Sequence, residues 1–250
     1  MELTILEQKI MNLTKDGDVI TIDTLYKLNE IFKFAEKSTI KEITFRLVKK
    51  HALIRLERGK YLVIRSPENY DALKVANYLF DGYIAITSAL FVYGYNQTKS
   101  FVIWGTTSSR KKIRKIGEYT YIMLPMGRSV FGSLYYKGYK ISTKAKTLID
   151  CVYNIHYIDD ITPLIYMISD MNSKDFDELL GYLRIINNSS LTQRVGFILE
   201  KAGAPKSIID TLKSTIGKSV TKLDKRIVSH VNYDKTWHVF DNININRFLR

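Results

Sequence analysis

The 250-residue chain is long enough for one large domain or two small ones, and its 46% apolar and 25% charged residues are ordinary globular values. It has no run of about 18 apolar residues, an N-terminus unlike a signal peptide, and a single cysteine, Cys151, which excludes a disulfide framework and a multi-cysteine metal site. We therefore expect a cytoplasmic protein without a membrane span. The formal net charge of +13 favours a nucleic acid or an acidic protein as partner, without choosing between them.

The first 66 residues show the periodicities of a small unit of helices and strands. Apolar faces at helical spacing predict three helices, through Leu3, Leu6, Ile10 and Leu13, through Leu25, Leu28, Phe32 and Ala35, and through Ile40, Ile43 and Leu47. A short strand is predicted in DGDVITI, and Thr39 with Glu42 predicts a capping box that opens the third helix. Strands at 52–57 and 61–64 follow, joined through Arg58-Gly59. This order is that of a winged helix-turn-helix.

The best candidate for a domain boundary is the proline-containing turn at 65–69. We predict an α+β protein with a winged helix-turn-helix domain at 1–66 and a second domain at 67–250. In the second domain, residues 67–160 are predicted to mix helices and strands. Helices are predicted at 71–80, in a segment that ends at Tyr93, and after a cap at Thr143. Strands are predicted in FVIWG (101–105), YTYIML (119–124) and SLYYKGYKI (133–141). Residues 161–250 are mainly helical, with a late strand in KTWHVFDNI.

The third predicted helix carries the candidate DNA-reading residues. Opposite its apolar face lie Lys41, Phe45 and Lys49, with Thr44 and Arg46 on the flanks, and the predicted wing adds Arg55, Arg58, Lys60 and Arg65. A helix fits the major groove of double-stranded DNA, where Lys and Arg meet phosphates or guanine edges. The alternative is a protein-docking module whose charges form a solvated face. Phe45 would either contact a thymine methyl group or pack beneath the wing.

A second basic segment lies in the middle of the chain. Residues 98–146 hold 11 Lys or Arg against the single Glu118. The densest run contains Arg110, Lys111, Lys112, Arg114 and Lys115. These charges would clamp phosphates or dock an acidic protein, and the alternative is an exposed loop between strands.

Enzyme motifs are scarce, so we predict a protein that is not an enzyme and needs no metal or cofactor. No close ligand spacing relates His51, His156, His230 and His238, and no GxSxG elbow is present. Phe131-Gly132-Ser133 is similar to the glycine–serine loop of a nucleotidyltransferase site. That chemistry needs two carboxylates on one strand face, a pattern that neither Asp150 nor Asp159-Asp160 provides.

Three segments in order, TFRLVKKHALIRLERGKYLV, VANYLFDGYIAITSALFVYGY and ISTKAKTLIDCVY, resemble the AbiEi family of abortive-infection (type IV) antitoxins. The similarity covers about residues 20–155, with weaker similarity in QRVGFILEKAG and around Trp237. The resemblance implies a winged helix-turn-helix that represses its own operon by binding inverted repeats. It also implies a C-terminal domain that counteracts a nucleotidyltransferase toxin in phage defence.

The resemblance also assigns roles to particular positions. The resemblance assigns the recognition helix and the wing to the following residues: Lys41, Thr44, Phe45, Arg46 and Lys49 for the helix, and Arg55, Arg58 and Lys60 for the wing. Ser88-Ala89-Leu90 and Leu148-Ile149-Asp150 match family segments that act as folding signatures, with Ser88 as a cap, Leu90 and Leu148 in the core, and Asp150 as a buried hydrogen-bond acceptor. Tyr93-Gly94 stands where the family commonly has His-Gly. The competing class is a winged-helix transcriptional regulator whose C-terminal domain senses a ligand or oligomerises.

Overall fold

A computed structural model describes residues 3–65, 70–98, 100–228 and 232–249. Within these ranges the helices are α1 (Ile5–Asn12), α2 (Ile22–Phe32), α3 (Lys37–Lys49), α4 (Ala72–Leu79), α5 (Ile86–Tyr93), α6 (Lys144–Tyr153), α7 (Thr162–Ser169), α8 (Ser173–Ile186), α9 (Ser189–Lys201) and α10 (Lys206–Lys213). The strands are β1 (Val19–Thr21), β2 (Leu53–Glu57), β3 (Lys60–Val63), β4 (Val102–Thr107), β5 (Lys112–Ile116), β6 (Tyr119–Pro125), β7 (Ser133–Tyr136), β8 (Tyr139–Ser142), β9 (Thr221–Lys222), β10 (Asn232–Asp234) and β11 (Val239–Asp241). The chain is therefore mixed α and β with small sheets, compatible with the predicted class. None of the described helices is both long and apolar enough to span a bilayer.

The N-terminal helices pack on a three-stranded antiparallel sheet with the strand order β1-β3-β2. The three predicted helices and the hairpin are present. The capping box predicted at Thr39 and Glu42 is wrong, because α3 begins earlier, at Lys37, after the extended residue Glu36. The Glu42 carboxylate instead accepts a hydrogen bond from Arg46, one helical turn further on.

The β2–β3 hairpin lies between two hydrophobic cores. Leu53 and Val63 belong to the core shared with α1, α2 and α3. Leu56 and Leu62 belong to a second core, which also includes residues of α4, β4 and β6. The hairpin thus joins the N-terminal helices to the rest of the described chain through side chains. The predicted boundary at residues 66 and 67 lies outside the described residues.

The middle of the chain forms a second sheet, in which β6 pairs in parallel with β4 and antiparallel with β5. The strands predicted at 101–105 and 119–124 are confirmed as β4 and β6. The stretch at 133–141, predicted as one strand, is instead the antiparallel hairpin β7–β8. Most of the basic run at 110–115 is strand β5 rather than a loop. Isolated bridges from Ile84 to Gly105 and to Ile141 connect the hairpin to β4.

Helix α6 lies at the centre of the largest core. Its predicted cap is confirmed, since the Thr143 hydroxyl accepts a hydrogen bond from the Lys146 amide. Lys146 and Asp150 are fully buried one turn apart and form an ion pair, and the Tyr83 hydroxyl donates to the same carboxylate over 3.1 Å. Asp150 is therefore a buried acceptor, as the resemblance implies.

The cap predicted at Ser88 is wrong. Helix α5 begins at Ile86, after Ala85, and the Ser88 hydroxyl accepts a hydrogen bond from the Trp104 amide over 2.9 Å. Ser88 therefore joins α5 to β4 instead of satisfying the helix terminus. Leu90 and Leu148 are fully buried, so both predicted core positions are confirmed.

The C-terminal part is mainly helical and ends in a small sheet. In that sheet β11 pairs antiparallel with β10 and parallel with β9. Trp237, placed by the sequence in a strand, precedes β11 in a turn and is fully buried. Its indole N–H donates to the Glu200 carboxylate over 2.6 Å, and its ring packs against Gly196 of α9.

Candidate nucleic-acid interface

One face of α3 is exposed and carries three of the five predicted reading residues. Lys41, Phe45 and Lys49 lie at four-residue spacing, so they form one line along the helix, here called the α3 ridge. The opposite face, through Ile40, Ile43 and Leu47, is fully buried. The apolar spacing that predicted the helix therefore also predicted which side chains remain accessible.

The other two predicted reading residues lie elsewhere. Thr44 is 1% exposed, and its hydroxyl donates to the Ile40 carbonyl over 2.7 Å, so it is not available to a partner. The Arg46 guanidinium contacts two carboxylates, that of Glu7 at 3.3 Å and that of Glu42 at 2.7 Å. Arg46 thus attaches α3 to α1 and takes no part in the α3 ridge.

Glu7 holds α1 against α3. Its carboxylate is fully buried and contacts the Lys50 ammonium at 2.6 Å as well as Arg46. It also closes a capping box with Thr4 at the start of α1. Burial raises the pKa of Glu7, but hydrogen bonds from Lys50 and Thr4 outweigh this effect and lower the pKa to about 2. The sequence reasoning missed this residue, since nothing in its spacing distinguishes it from a surface glutamate.

The β2–β3 hairpin presents fewer free charges than its sequence indicates. Arg55 and Arg58 are exposed. The Lys60 ammonium lies 3.5 Å from the Glu57 carboxylate and donates to the Tyr78 carbonyl over 3.3 Å. Arg65 points back to α1, where its guanidinium donates to main-chain carbonyls, including that of Thr14 at 2.8 Å.

The structure brings the two predicted basic segments together. The Arg114 guanidinium on β5 donates to the main-chain carbonyl of Arg55 on β2 over 2.8 Å, across 59 positions of sequence. Strand β5 lies at the edge of its sheet, and Arg110, Lys111, Lys112 and Lys115 are exposed. The Arg114 hydrogen bond therefore connects β5 to the hairpin.

Lys111 lies beside a cation that the sequence reasoning did not select, on the opposite face of the sheet from Arg114. Lys111 and Arg226 both donate to the Tyr157 hydroxyl, over 2.9 and 3.3 Å, and the Tyr157 ring packs on Trp104. These two hydrogen bonds lower the pKa of Tyr157, against the opposing effect of burial. Among the described residues neither cation forms an ion pair with a carboxylate. The basic surface is defined by Arg55, Arg58, Arg110, Lys111, Lys112, Arg114, Lys115 and Arg226.

The histidines and acidic residues form no comparable cluster. In the described part of the chain, no group of three or more His, Cys, Asp or Glu side chains could hold a metal ion. His230 lies outside the described residues, and His238 contacts the Tyr233 hydroxyl at 2.9 Å. Asp150 and Cys151 are fully buried, so neither reaches a substrate.

A cavity of about 270 Å³ lies apart from the basic surface. Its wall comes from the start of α4, from α5 and from β4, and it includes Thr87, Asn96, Ser100 and Tyr119. The Tyr139 hydroxyl at its margin donates to Asp71 over 2.6 Å. The lining is mostly apolar with several hydroxyl groups, a composition that suits an uncharged small molecule.

The fold is shared with a protein of known structure. The chain is similar to the crystal structure of the RV2827C protein from Mycobacterium tuberculosis, with a TM-score of 0.63 and 14% sequence identity. The match covers 96% of this chain and 92% of that chain, so the likeness extends over nearly the whole fold. At this identity the likeness shows the fold alone. No family model matches the chain, and no curated protein matches it.

Proposed function

We propose that the N-terminal part is a winged helix-turn-helix that binds double-stranded DNA. The observation that carries this proposal is the exposed α3 ridge, next to a hairpin whose charges continue into β5 through the Arg114–Arg55 hydrogen bond. In this arrangement α3 enters the major groove, and cations of the hairpin and of β5 contact phosphates. Phosphate contacts supply most of the affinity, and the α3 ridge supplies the discrimination between sequences.

We further propose that the protein is the antitoxin and autorepressor of a type IV toxin–antitoxin operon, counteracting a nucleotidyltransferase toxin in phage defence. The support is the resemblance of residues 20–155 to the AbiEi family, taken with the DNA-binding surface described above. Repression of the protein's own promoter through inverted repeats places two copies on DNA. Antitoxin activity resides in residues 67–250 and involves no catalysis by this chain.

Co-expression with the product of the neighbouring gene tests both activities in the same cells. Growth reports the antitoxin activity, and a reporter behind the protein's own promoter reports repression. We expect the double variant Lys41→Ala, Lys49→Ala to lose repression and to keep growth rescue, since both side chains are exposed on α3. Lys174→Ala, which removes an exposed cation on α8, is the matched control and should keep both activities. Wild-type protein that neither represses nor rescues would refute the proposal.

The cavity supports a second candidate, a transcriptional regulator whose C-terminal part senses a ligand. Its volume of about 270 Å³ and its mixed lining would accept a small uncharged molecule. Thr87→Trp would fill the space. If the protein is a ligand-sensing regulator, the Thr87→Trp variant should no longer change the activity of its promoter when the growth medium changes. If it is an antitoxin, the variant should still rescue growth. A neighbouring nucleotidyltransferase gene favours the antitoxin.

A further inference from the structure

Phe45 occupies the middle of the α3 ridge, between Lys41 and Lys49, and its ring is exposed to solvent. Its side chain is 58% exposed, although every other large apolar residue of α3 is buried or half-buried. This exposure excludes packing beneath the hairpin, one of the two roles that the sequence allowed. The ring is therefore not part of the N-terminal core.

Lys49 holds the ring in place along the helix. Its ammonium lies 4.7 Å from the centroid of the Phe45 ring, within the range of a cation–π contact. Lys49 lies one helical turn after Phe45, and Lys41 lies one turn before it. An apolar group is thus flanked on both sides by cations, which suits a groove whose floor carries bases and whose rims carry phosphates.

We propose that Phe45 determines specificity by contacting the 5-methyl group of thymine in the major groove. This inference rests on the proposed DNA binding. A phenyl ring carries no hydrogen-bond donor or acceptor, so it cannot pair with the polar edges of guanine, adenine or cytosine. The thymine methyl group is the apolar feature that the major groove offers to such a side chain. Lys41 and Lys49 contact the flanking phosphates or a guanine edge.

Replacing thymine with uracil removes that methyl group and keeps the Watson–Crick pairing. The DNA upstream of the protein's own gene is synthesised with either thymine or uracil throughout, and the affinity of the full chain is measured on both at one salt concentration. We expect wild-type protein to bind the thymine DNA at least about four-fold more tightly, the effect of one methyl group losing its apolar contact. Phe45→Ala should bind both DNAs equally and more weakly than wild type binds thymine DNA.

Two further variants separate the ring's role from a general loss of affinity. Phe45→Leu keeps an apolar side chain and should retain part of the preference for thymine. Phe101→Ala removes a ring of similar exposure, 57%, from the start of the middle sheet and should retain all of it. Circular dichroism of each variant checks folding. If Phe45→Ala does not fold, the affinities of wild type and Phe45→Leu for thymine and uracil DNA test the proposal.

The outcomes distinguish the role of Phe45 from DNA binding by the chain. Wild-type protein that binds thymine and uracil DNA equally would overturn the role of Phe45 and leave DNA binding standing. A preference that persists in Phe45→Ala would also overturn it. Wild-type protein that binds neither DNA more tightly than unrelated DNA would overturn the proposed function, and the inference with it. If Phe45 contacts a protein partner instead of DNA, wild-type protein should bind thymine and uracil DNA equally.

Discussion

Arg114 donates a hydrogen bond from its guanidinium to the main-chain carbonyl of Arg55 over 2.8 Å. This contact places the Arg114 guanidinium of β5 against the backbone of β2. Arg110, Lys111, Lys112 and Lys115 are also exposed in this part of the chain, and such a concentration of cations favours an anionic partner such as a nucleic acid backbone.

The proposed phosphate contacts predict a particular salt dependence of DNA binding. Removing one cation that neutralises a phosphate lowers the slope of log affinity against log salt by about 1 and weakens binding equally for all sequences. We expect this result for Arg58→Ala on the hairpin and for Lys112→Ala on β5, measured by gel shift at several salt concentrations. Lys174→Ala on α8 should leave the slope unchanged. A slope that is unaffected by Lys112→Ala would exclude β5 from the DNA interface.

The contacts of Glu7 predict a loss of stability when its charge is removed. Glu7→Gln leaves the Lys50 ammonium and the Arg46 guanidinium without their shared carboxylate. We expect the free energy of unfolding at neutral pH to fall by about 2 kcal/mol, the usual cost of losing a hydrogen-bonded charged partner. Urea denaturation measures the loss. Glu30→Gln, at an exposed position in α2, is the control and should change stability little.

The lowered pKa of Glu7 also predicts how this contribution depends on pH. The folded protein holds the carboxylate ionised down to about pH 2, whereas the ordinary value is 4.5. The contribution is therefore fully present above the ordinary pKa and is lost as the pH falls from there through the folded value. The stability difference between wild type and Glu7→Gln should be largest near neutral pH and should shrink on acidification towards pH 2. A difference that stays constant over this range would contradict the assignment.

The buried pair of Lys146 and Asp150 predicts a strong non-additivity. Lys146→Met leaves the buried Asp150 carboxylate without its cation, which typically costs about 3–5 kcal/mol. Adding Asp150→Asn removes the charge and keeps an acceptor for the Tyr83 hydroxyl, so the double variant should recover most of the loss. Thermal unfolding of the single and double variants measures the coupling. A double variant less stable than Lys146→Met alone would contradict the prediction.

Two helical glycines predict opposite effects of the same substitution. Alanine normally stabilises a helix by about 1 kcal/mol relative to glycine, and Gly181 in α8 has open space around it, so Gly181→Ala should stabilise the protein. At Gly196 in α9 a new methyl group would overlap the buried Trp237 ring. Gly196→Ala should therefore destabilise the protein by about 1–3 kcal/mol, as overpacking does. Equal melting temperatures for the two variants would show that the Trp237 ring moves freely aside.

The sequence alone determined most elements and the exposed face of α3, because both follow from local periodicity. Ile40, Ile43 and Leu47 predicted the buried face, and Lys41, Phe45 and Lys49 therefore had to be accessible. Two predicted helix caps were wrong because each polar side chain forms a different hydrogen bond in the folded chain. The Ser88 hydroxyl bonds to β4 instead of capping α5, and the Glu42 carboxylate bonds to Arg46.

Only the tertiary structure decided which charges act together. Arg46 is a cation of the same predicted helix as Lys41, but it pairs with the buried carboxylate of Glu7, 39 positions away, and so takes no part in the α3 ridge. Arg114 meets Arg55, and Arg226 meets Lys111 on Tyr157, across separations that no periodicity encodes. Periodicity specifies which face of its own helix or strand a side chain lies on. The partner of a charge depends on how distant elements pack, and only the folded chain establishes that.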